Sequence, residues 1–156
     1  MADQLLAATL EHEHQDVDRD IEAFADGPNS RERDAAPLRG ALAALRRHIY
    51  AEEQLLFPPL REQGMLAPVL VMLREHGQLW DTMDALEREL QAGAIPAALQ
   101  LCHELLVQLQ HHNPKEERIL YPQSDIALSP EQAAELAAFL RDGTLPDGWI
   151  CAKAAN

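Results

Sequence analysis

The chain has 156 residues, 47% of them apolar and 25% charged, which suits a single domain with one core and excludes a disordered polymer. Its 13 basic and 26 acidic side chains leave a net charge of −13, which repels phosphate backbones and anionic lipid and argues against nucleic acid or a membrane as partner. Aromatics are only 4% while Ala and Leu abound, a composition that favours helices over sheets.

Gly and Pro divide the chain into four long helical segments and a short fifth. The first is predicted over about Asp3 to Ala25, with the stripe Leu6, Leu10, Val17, Ile21 and Phe24, and His14 in the missing step. Gly27-Pro28 ends it. The second runs from near Pro37 to about Phe57 on Leu38, Leu42, Leu45, Ile49, Glu52 and Leu56, where Pro58-Pro59 breaks or kinks it. The third starts after Gly64 and reaches about Leu90 on Val69, Leu73, His76, Leu79, Met83, Leu86 and Leu90, with Gly93 just beyond its end. The fourth begins at Pro96 and reaches about Tyr121 on Leu101, Leu105, Leu109, His112, Glu116 and Ile119, with a kink expected at Pro114. A last helix, about Pro130 to Arg141, follows a Ser129…Gln132 capping box and ends at Gly143. The tail Thr144–Asn156 reads as irregular, with Trp149 and Ile150 docking on the helices. The fold class is therefore all-α: an antiparallel up-down four-helix bundle over about residues 3–125, a short C-terminal fifth helix and a tail, one domain over 1–156.

Each long stripe carries a polar residue where an apolar one belongs. A buried polar group is unfavourable unless something satisfies it, so four breaks near mid-helix ask for a common cause. A two-fold repeat supplies it. Residues 48–58 read HIYAEEQLLFP and residues 112–122 read HNPKEERILYP, an offset of 64. Upstream lie Glu13-His14 and Glu75-His76, at an offset of 62. Each half thus offers one lone His and one His-x-x-x-Glu. Residues four apart share a helix face, so His48/Glu52 and His112/Glu116 can each point a nitrogen and a carboxylate inward. Packing the halves together brings four imidazoles and two carboxylates to one layer, a set suited to a pair of cations in an N/O environment. Two shared carboxylates can bridge the cations, and an added hydroxide or oxide would neutralise remaining charge. Zinc prefers fewer ligands per ion, and magnesium and calcium prefer oxygen, so iron or manganese fits best.

The doubled motif, His48-x-x-x-Glu52-Glu53-x-x-Leu56-Phe57-Pro58 with its copy His112-x-x-x-Glu116-Glu117-x-x-Leu120-Tyr121-Pro122, resembles the hemerythrin, or HHE cation-binding, family over about residues 5–125. The resemblance implies a non-haem centre of two iron ions, oxo- or hydroxo-bridged, with manganese or zinc as substitutes. It implies Glu52 and Glu116 as bridging carboxylates and His14, His48, His76 and His112 as nitrogen ligands. Oxygen-carrying members place a further His four residues after the one on the third helix. Trp80 stands there instead, so a fifth imidazole is missing and an open position results. Glu13, Glu53, Glu75 and Glu117 are the spare carboxylates that could fill it.

Other residues read more plainly. Glu53 and Glu117 point about a quarter turn from the ligands and suit hydrogen bonds to imidazole N–H groups. Glu117 is the fallback for Glu116 if Pro114 re-aims the helix, and His111 substitutes for His112 if the register shifts by one. His12 and His103 read as surface residues, Trp80 as packing beside the site, and Tyr50 and Tyr121 as ordinary bundle residues. The acids Glu11, Glu13, Asp16, Asp18, Asp20 and Glu22 read as a solvated face. Cys102 reads as a core residue and Cys151 as part of the tail; two cysteines make neither a disulfide framework nor a Cys-rich zinc site. No signal peptide or bilayer-spanning run is visible, so a cytoplasmic protein is expected.

The functional expectation is a protein that binds or senses oxygen, nitric oxide or redox state through its metals. One alternative is an enzyme acting on peroxide or nitric oxide, or donating iron for cluster repair. Another is an iron-responsive interaction module. The sequence names no partner protein and no oligomeric state.

Overall fold

A computed structural model describes residues 2–27 and 33–155, with side chains from residue 6 onward. Pro28 of the predicted helix stop, and Asn156 of the tail, lie outside the described residues. The elements, in order, are α1 (Ala2–Ala25), α2 (Ala36–Ala51), a π-helical turn (Glu52–Leu56), α3 (Phe57–Glu62), α4 (Leu66–Gln91), α5 (Ile95–Lys115), a second π-helical turn (Glu116–Leu120), a 3₁₀ turn (Tyr121–Gln123), α6 (Ser124–Ala127) and α7 (Pro130–Asp142). There is no strand among the described residues. The helix pairs α1/α2 and α4/α5 pack as hairpins, which meet along α1–α5 and α2–α4. The shorter α7 lies against α1 and α2. Its capping box forms as predicted: the Gln132 N–H donates to Ser129 Oγ at 3.1 Å and the Ser129 N–H to Gln132 Oε1 at 2.9 Å.

The core has two apolar lobes. One holds Val17, Ile21, Leu45, Ile49, Leu79, Met83, Leu105 and Leu109. The other holds Leu6, Leu10, Leu56, Phe57, Leu73, Leu120 and Tyr121. Along each long helix the buried histidine falls between them: His14 between Leu10 and Val17, His48 between Leu45 and Ala51, His76 between Leu73 and Leu79, His112 between Leu109 and Leu120. The polar breaks in four stripes therefore meet in one layer at the waist.

The prolines act differently from expectation. Pro58 does not end the second helical segment, which continues to Glu62 as α3. Instead the backbone widens just ahead of it: the Phe57 N–H bonds to the Glu52 carbonyl, five residues back. Tyr121 does the same to Glu116, just ahead of Pro122. A proline lacks the N–H and its ring crowds the carbonyl four residues earlier, and the wide turn relieves that crowding. Pro114 is not the cause, because the first copy has Tyr50 at the matching position and widens equally. The extra residue per turn also shifts the inward phase. Ile119, predicted to face inward, is 49% exposed, while Leu120 is buried.

The tail docks through Trp149 as expected, but not through Ile150. Trp149 packs edge-on against Tyr50 and Trp80, at 5.0 and 5.5 Å between ring centroids. Ile150 is exposed and Cys151 takes the buried place, because the chain turns at Gly148 with φ +76°. Gly77 makes the close approach possible: a Cβ there would lie 2.2 Å from the Lys153 carbonyl oxygen. A glycine inside a helix is unfavourable by about 1 kcal/mol relative to alanine, so its place in α4 reflects the tail crossing it. Gly77→Ala is expected to lift the tail without unfolding the bundle. Limited trypsin cleavage after Lys153 should become several-fold faster while helicity is retained; an unchanged cleavage rate would contradict the strap.

Candidate metal centre

Among the described residues, seven of the ten buried polar or charged ones belong to the waist: His14, His48, Glu52, Glu53, His76, His112 and Glu116, each 8% exposed or less. The six predicted ligands all converge. Two sets of four place one ligand atom per residue within 4.8 Å of one another, and each set could hold a metal ion. One is His14, His48, Glu52 and Glu116; the other is His76, His112, Glu52 and Glu116. Glu52 and Glu116 are common to both. Glu116 Oε1 lies 3.2 Å from His14 Nε2 and 3.1 Å from His112 Nε2, and its Oε2 lies 3.4 Å from His76 Nε2. Glu52 Oε1 lies 3.4 Å from His48 Nε2 and 3.3 Å from His76 Nε2. The register of α5 is as predicted: His111 is exposed, His112 is inward, and Glu116 needs no substitution by Glu117.

Every imidazole has a carboxylate on its outer nitrogen. His14 Nδ1 meets Glu117 at 3.1 Å, His48 Nδ1 meets Glu13 at 2.8 Å, His76 Nδ1 meets Glu53 at 2.7 Å and His112 Nδ1 meets Glu75 at 3.0 Å. The four carboxylates read as spare ligands are thus turned outward onto the rings. The expectation for Glu53 and Glu117 holds, and Glu13 and Glu75 share the role. Glu13 is therefore not merely part of a solvated face. Three of these carboxylates are held in turn: Glu13 by Arg47 at 3.4 Å, Glu75 by Lys115, and Glu53 by the Ala152 N–H of the tail at 3.0 Å. Arg47 also donates to the Phe139, Leu140 and Gly143 carbonyls, so it ties the end of α7 to the site.

The outer carboxylates fix the protonation pattern. A neutral imidazole with its Nδ1–H on a carboxylate presents the Nε2 lone pair inward. Those lone pairs meet carboxylate oxygens, which also only accept. Glu52 Oε1, Glu116 Oε2 and His76 Nε2 are buried without a hydrogen-bond partner. Acceptor facing acceptor in a dry layer is unfavourable, and positive charge between them, from protons on the rings or from a metal ion, relieves it.

Protons alone show the demand. Burial opposes charge on His48, yet the Glu52 carboxylate and the Glu13 hydrogen bond overcome it and push the imidazole up to about 10. Burial likewise opposes charge on His76 and His112. Hydrogen bonds to Glu116, Glu52 and Glu53 hold His76 well above the usual imidazole range, and Glu116 raises His112. Burial and Glu116 press Glu52 upward, but His48 and His76 bring it below its ordinary value. Burial presses Glu116 upward too, and His112, with His14 and His76, carries it well below.

Trp80 packs beside the site as expected, and Tyr121 stands elsewhere than sequence reasoning put it. Trp80 is buried beneath the Arg46 guanidinium, 4.6 Å from its centroid, and beside Trp149, where it packs in the apolar lobe next to the waist. Tyr121, read as an ordinary bundle residue, is fully buried with its hydroxyl in the polar layer: it donates to Glu52 Oε2 at 2.8 Å and lies 3.1 Å from His14 Nε2 and 3.2 Å from His48 Nε2. The signal was present in the repeat, because the matching residue, Phe57, differs from it by that one oxygen.

No curated protein and no solved structure matches the chain. A family model, the hemerythrin HHE cation binding domain, matches residues 5–124, the stretch that contains all four histidines and both shared carboxylates. The doubled motif, the helical bundle and the layer of imidazole and carboxylate at its waist therefore have one source: the chain belongs to the hemerythrin HHE cation-binding family.

Proposed function

We propose that the chain binds two iron ions at its waist and through them binds or senses a small molecule such as oxygen, nitric oxide or peroxide. His14 and His48 would hold one ion and His76 and His112 the other, with Glu52 and Glu116 common to both sets. The observation that carries this reading is the orientation of the rings. All four have Nδ1 on an outer carboxylate, so each Nε2 faces Glu52, Glu116 or both, and each of those carboxylates has an orphaned buried oxygen. The donor set, imidazole with carboxylate and no thiolate, suits iron or manganese; zinc would fill the same positions with fewer ligands. Iron there supplies redox chemistry and open positions for a diatomic ligand.

The protein's own groups do the rest. The outer carboxylates fix each ring's rotation and raise its basicity. The two apolar lobes exclude water from the layer, which strengthens every electrostatic contact within it. No helix among the described residues is long and apolar enough to cross a membrane.

Trp80 favours a second reading. With indole in place of a further imidazole, the protein supplies one ligand fewer at the His76/His112 position, as an enzyme turning over peroxide or nitric oxide requires. Purification without air, followed by elemental analysis and oxygen titration, tests both. About two irons per chain and a reversible spectral change support binding or sensing. Irreversible oxidation with turnover of peroxide or nitric oxide supports the enzyme. A folded chain that takes up no metal from an iron(II) solution overturns both.

A further inference from the structure

The two halves of the waist are not equivalent. The histidine and both glutamates of the repeat are duplicated: His48 with His112, Glu52 with Glu116, Glu53 with Glu117. The ring that follows is not. Phe57 stacks on His76 at 5.4 Å and 17° between planes, and Tyr121 stacks on His14 at 5.7 Å and 28°. The rings occupy matching places, but only Tyr121 carries an oxygen into the layer.

That oxygen is placed among ligand atoms. Its neighbours are Glu52 Oε2 at 2.8 Å, His14 Nε2 at 3.1 Å, His48 Nε2 at 3.2 Å and Glu116 Oε1 at 3.4 Å. These four side chains are the set that could hold one metal ion. Ligands at right angles about a metal, each about 2.1 Å from it, lie roughly 3.0 Å apart. The hydroxyl stands near that distance from all four, as a further ligand on the same ion would.

We infer that Tyr121 Oη is a fifth protein ligand for the metal at His14 and His48, which leaves the position at His76 and His112 as the one that accepts an exogenous molecule. The inference rests on the two-metal reading above and deepens it. Coordination replaces the phenol proton with the cation: the O–H bond breaks, the metal–oxygen bond forms, the proton leaves to solvent, and no electron moves. On the other side Phe57 offers no oxygen, and Trp80 offers no lone pair where a further imidazole would stand. The site is thereby divided into a closed half and an open half.

The test is Tyr121→Phe, a change that copies Phe57 and leaves the ring's packing in place. Iron content of wild type and variant is measured first. Both are expected to hold about two ferric ions per chain. Wild type is expected to show a visible phenolate-to-iron charge-transfer band with phenolate ring modes in resonance Raman, and the variant to lose both. Azide is the probe for the open half: wild type should bind one per chain, and Phe57→Tyr should abolish that binding while strengthening the phenolate band. Two irons in both proteins with no phenolate signature in wild type overturns the inference and leaves the two-metal reading standing. No iron in either protein overturns the two-metal reading itself.

Discussion

Removal of the metal with a chelator is expected to lower the melting temperature by roughly 10 °C for each ion lost and to reverse how stability depends on pH. An ion present at about a thousand times its dissociation constant adds about 4 kcal/mol to the folded state. For a chain of this size each 1 kcal/mol moves the midpoint by roughly 2–4 °C. The pH effect follows from the protons that replace the cation. His48 is raised from 6.5 to about 10, so the folded state holds a proton that the unfolded chain releases. That contribution is complete below about pH 6.5 and is lost as pH rises toward 10. His76 and His112 are shifted the same way. Glu52 and Glu116 are lowered from 4.5, so their contribution is present above that pH and lost below it. The metal-free protein should therefore be most stable in the window between 4.5 and 6.5 and weaken through neutrality to alkaline pH. Metal competes with those same protons, so the loaded protein should gain stability from mildly acidic to neutral pH. Calorimetry at pH 6 and pH 9, with and without chelator, measures the two slopes. Parallel curves would mean that no cation takes the protons' place.

Which parts of this centre were legible in the chain follows from the range of the interactions. His14 and His76 were visible because each interrupts an apolar stripe of period 3.6, and His48 and Glu52 because four residues is one helical turn. The repeat then joined the two halves before any packing was known. The outer carboxylates were harder. Glu13 serves His48 and Glu75 serves His112 across a hairpin, while Glu53 and Glu117 reach across to the other hairpin. Such pairings depend on how helices are rotated against one another, which local spacing does not encode. The wide turns at Glu52–Leu56 and Glu116–Leu120 explain a second class of difference. A template of 3.6 residues per turn carries Ile119 inward, and one extra residue in the turn brings Leu120 there instead. Tyr121 belongs to the same class: it lies just past the widened turn, so its phase was one residue out of reach. Ile150 and Cys151 exchanged roles because the path of an irregular tail is set by the turn at Gly148 and by its crossing of Gly77 on α4, a contact that local pattern does not encode.

Glu116→Gln is expected to have the larger effect on metal content of any single exchange at the waist, and its comparison with two neighbours separates bridging from support. Glu116 reaches three of the four imidazoles, His14 and His112 with one oxygen and His76 with the other. An amide keeps the shape but loses the charge and one acceptor, so both metal positions lose a ligand together. Iron retained after desalting should fall to less than about a tenth of wild type, since even an outer partner is worth about 10–100-fold in affinity. His48→Ala touches one half alone, and about one ion per chain should remain. Glu75→Gln leaves every inward atom in place and only loosens His112, so both ions should still bind, the one at His76 and His112 about 10–100-fold more weakly at most. The order Glu116→Gln, then His48→Ala, then Glu75→Gln is the signature of a carboxylate shared by two ions. Retention of both ions by Glu116→Gln, or equal losses in all three variants, would show that the carboxylate does not join the two halves. A charge that serves two cations cannot be removed from one of them.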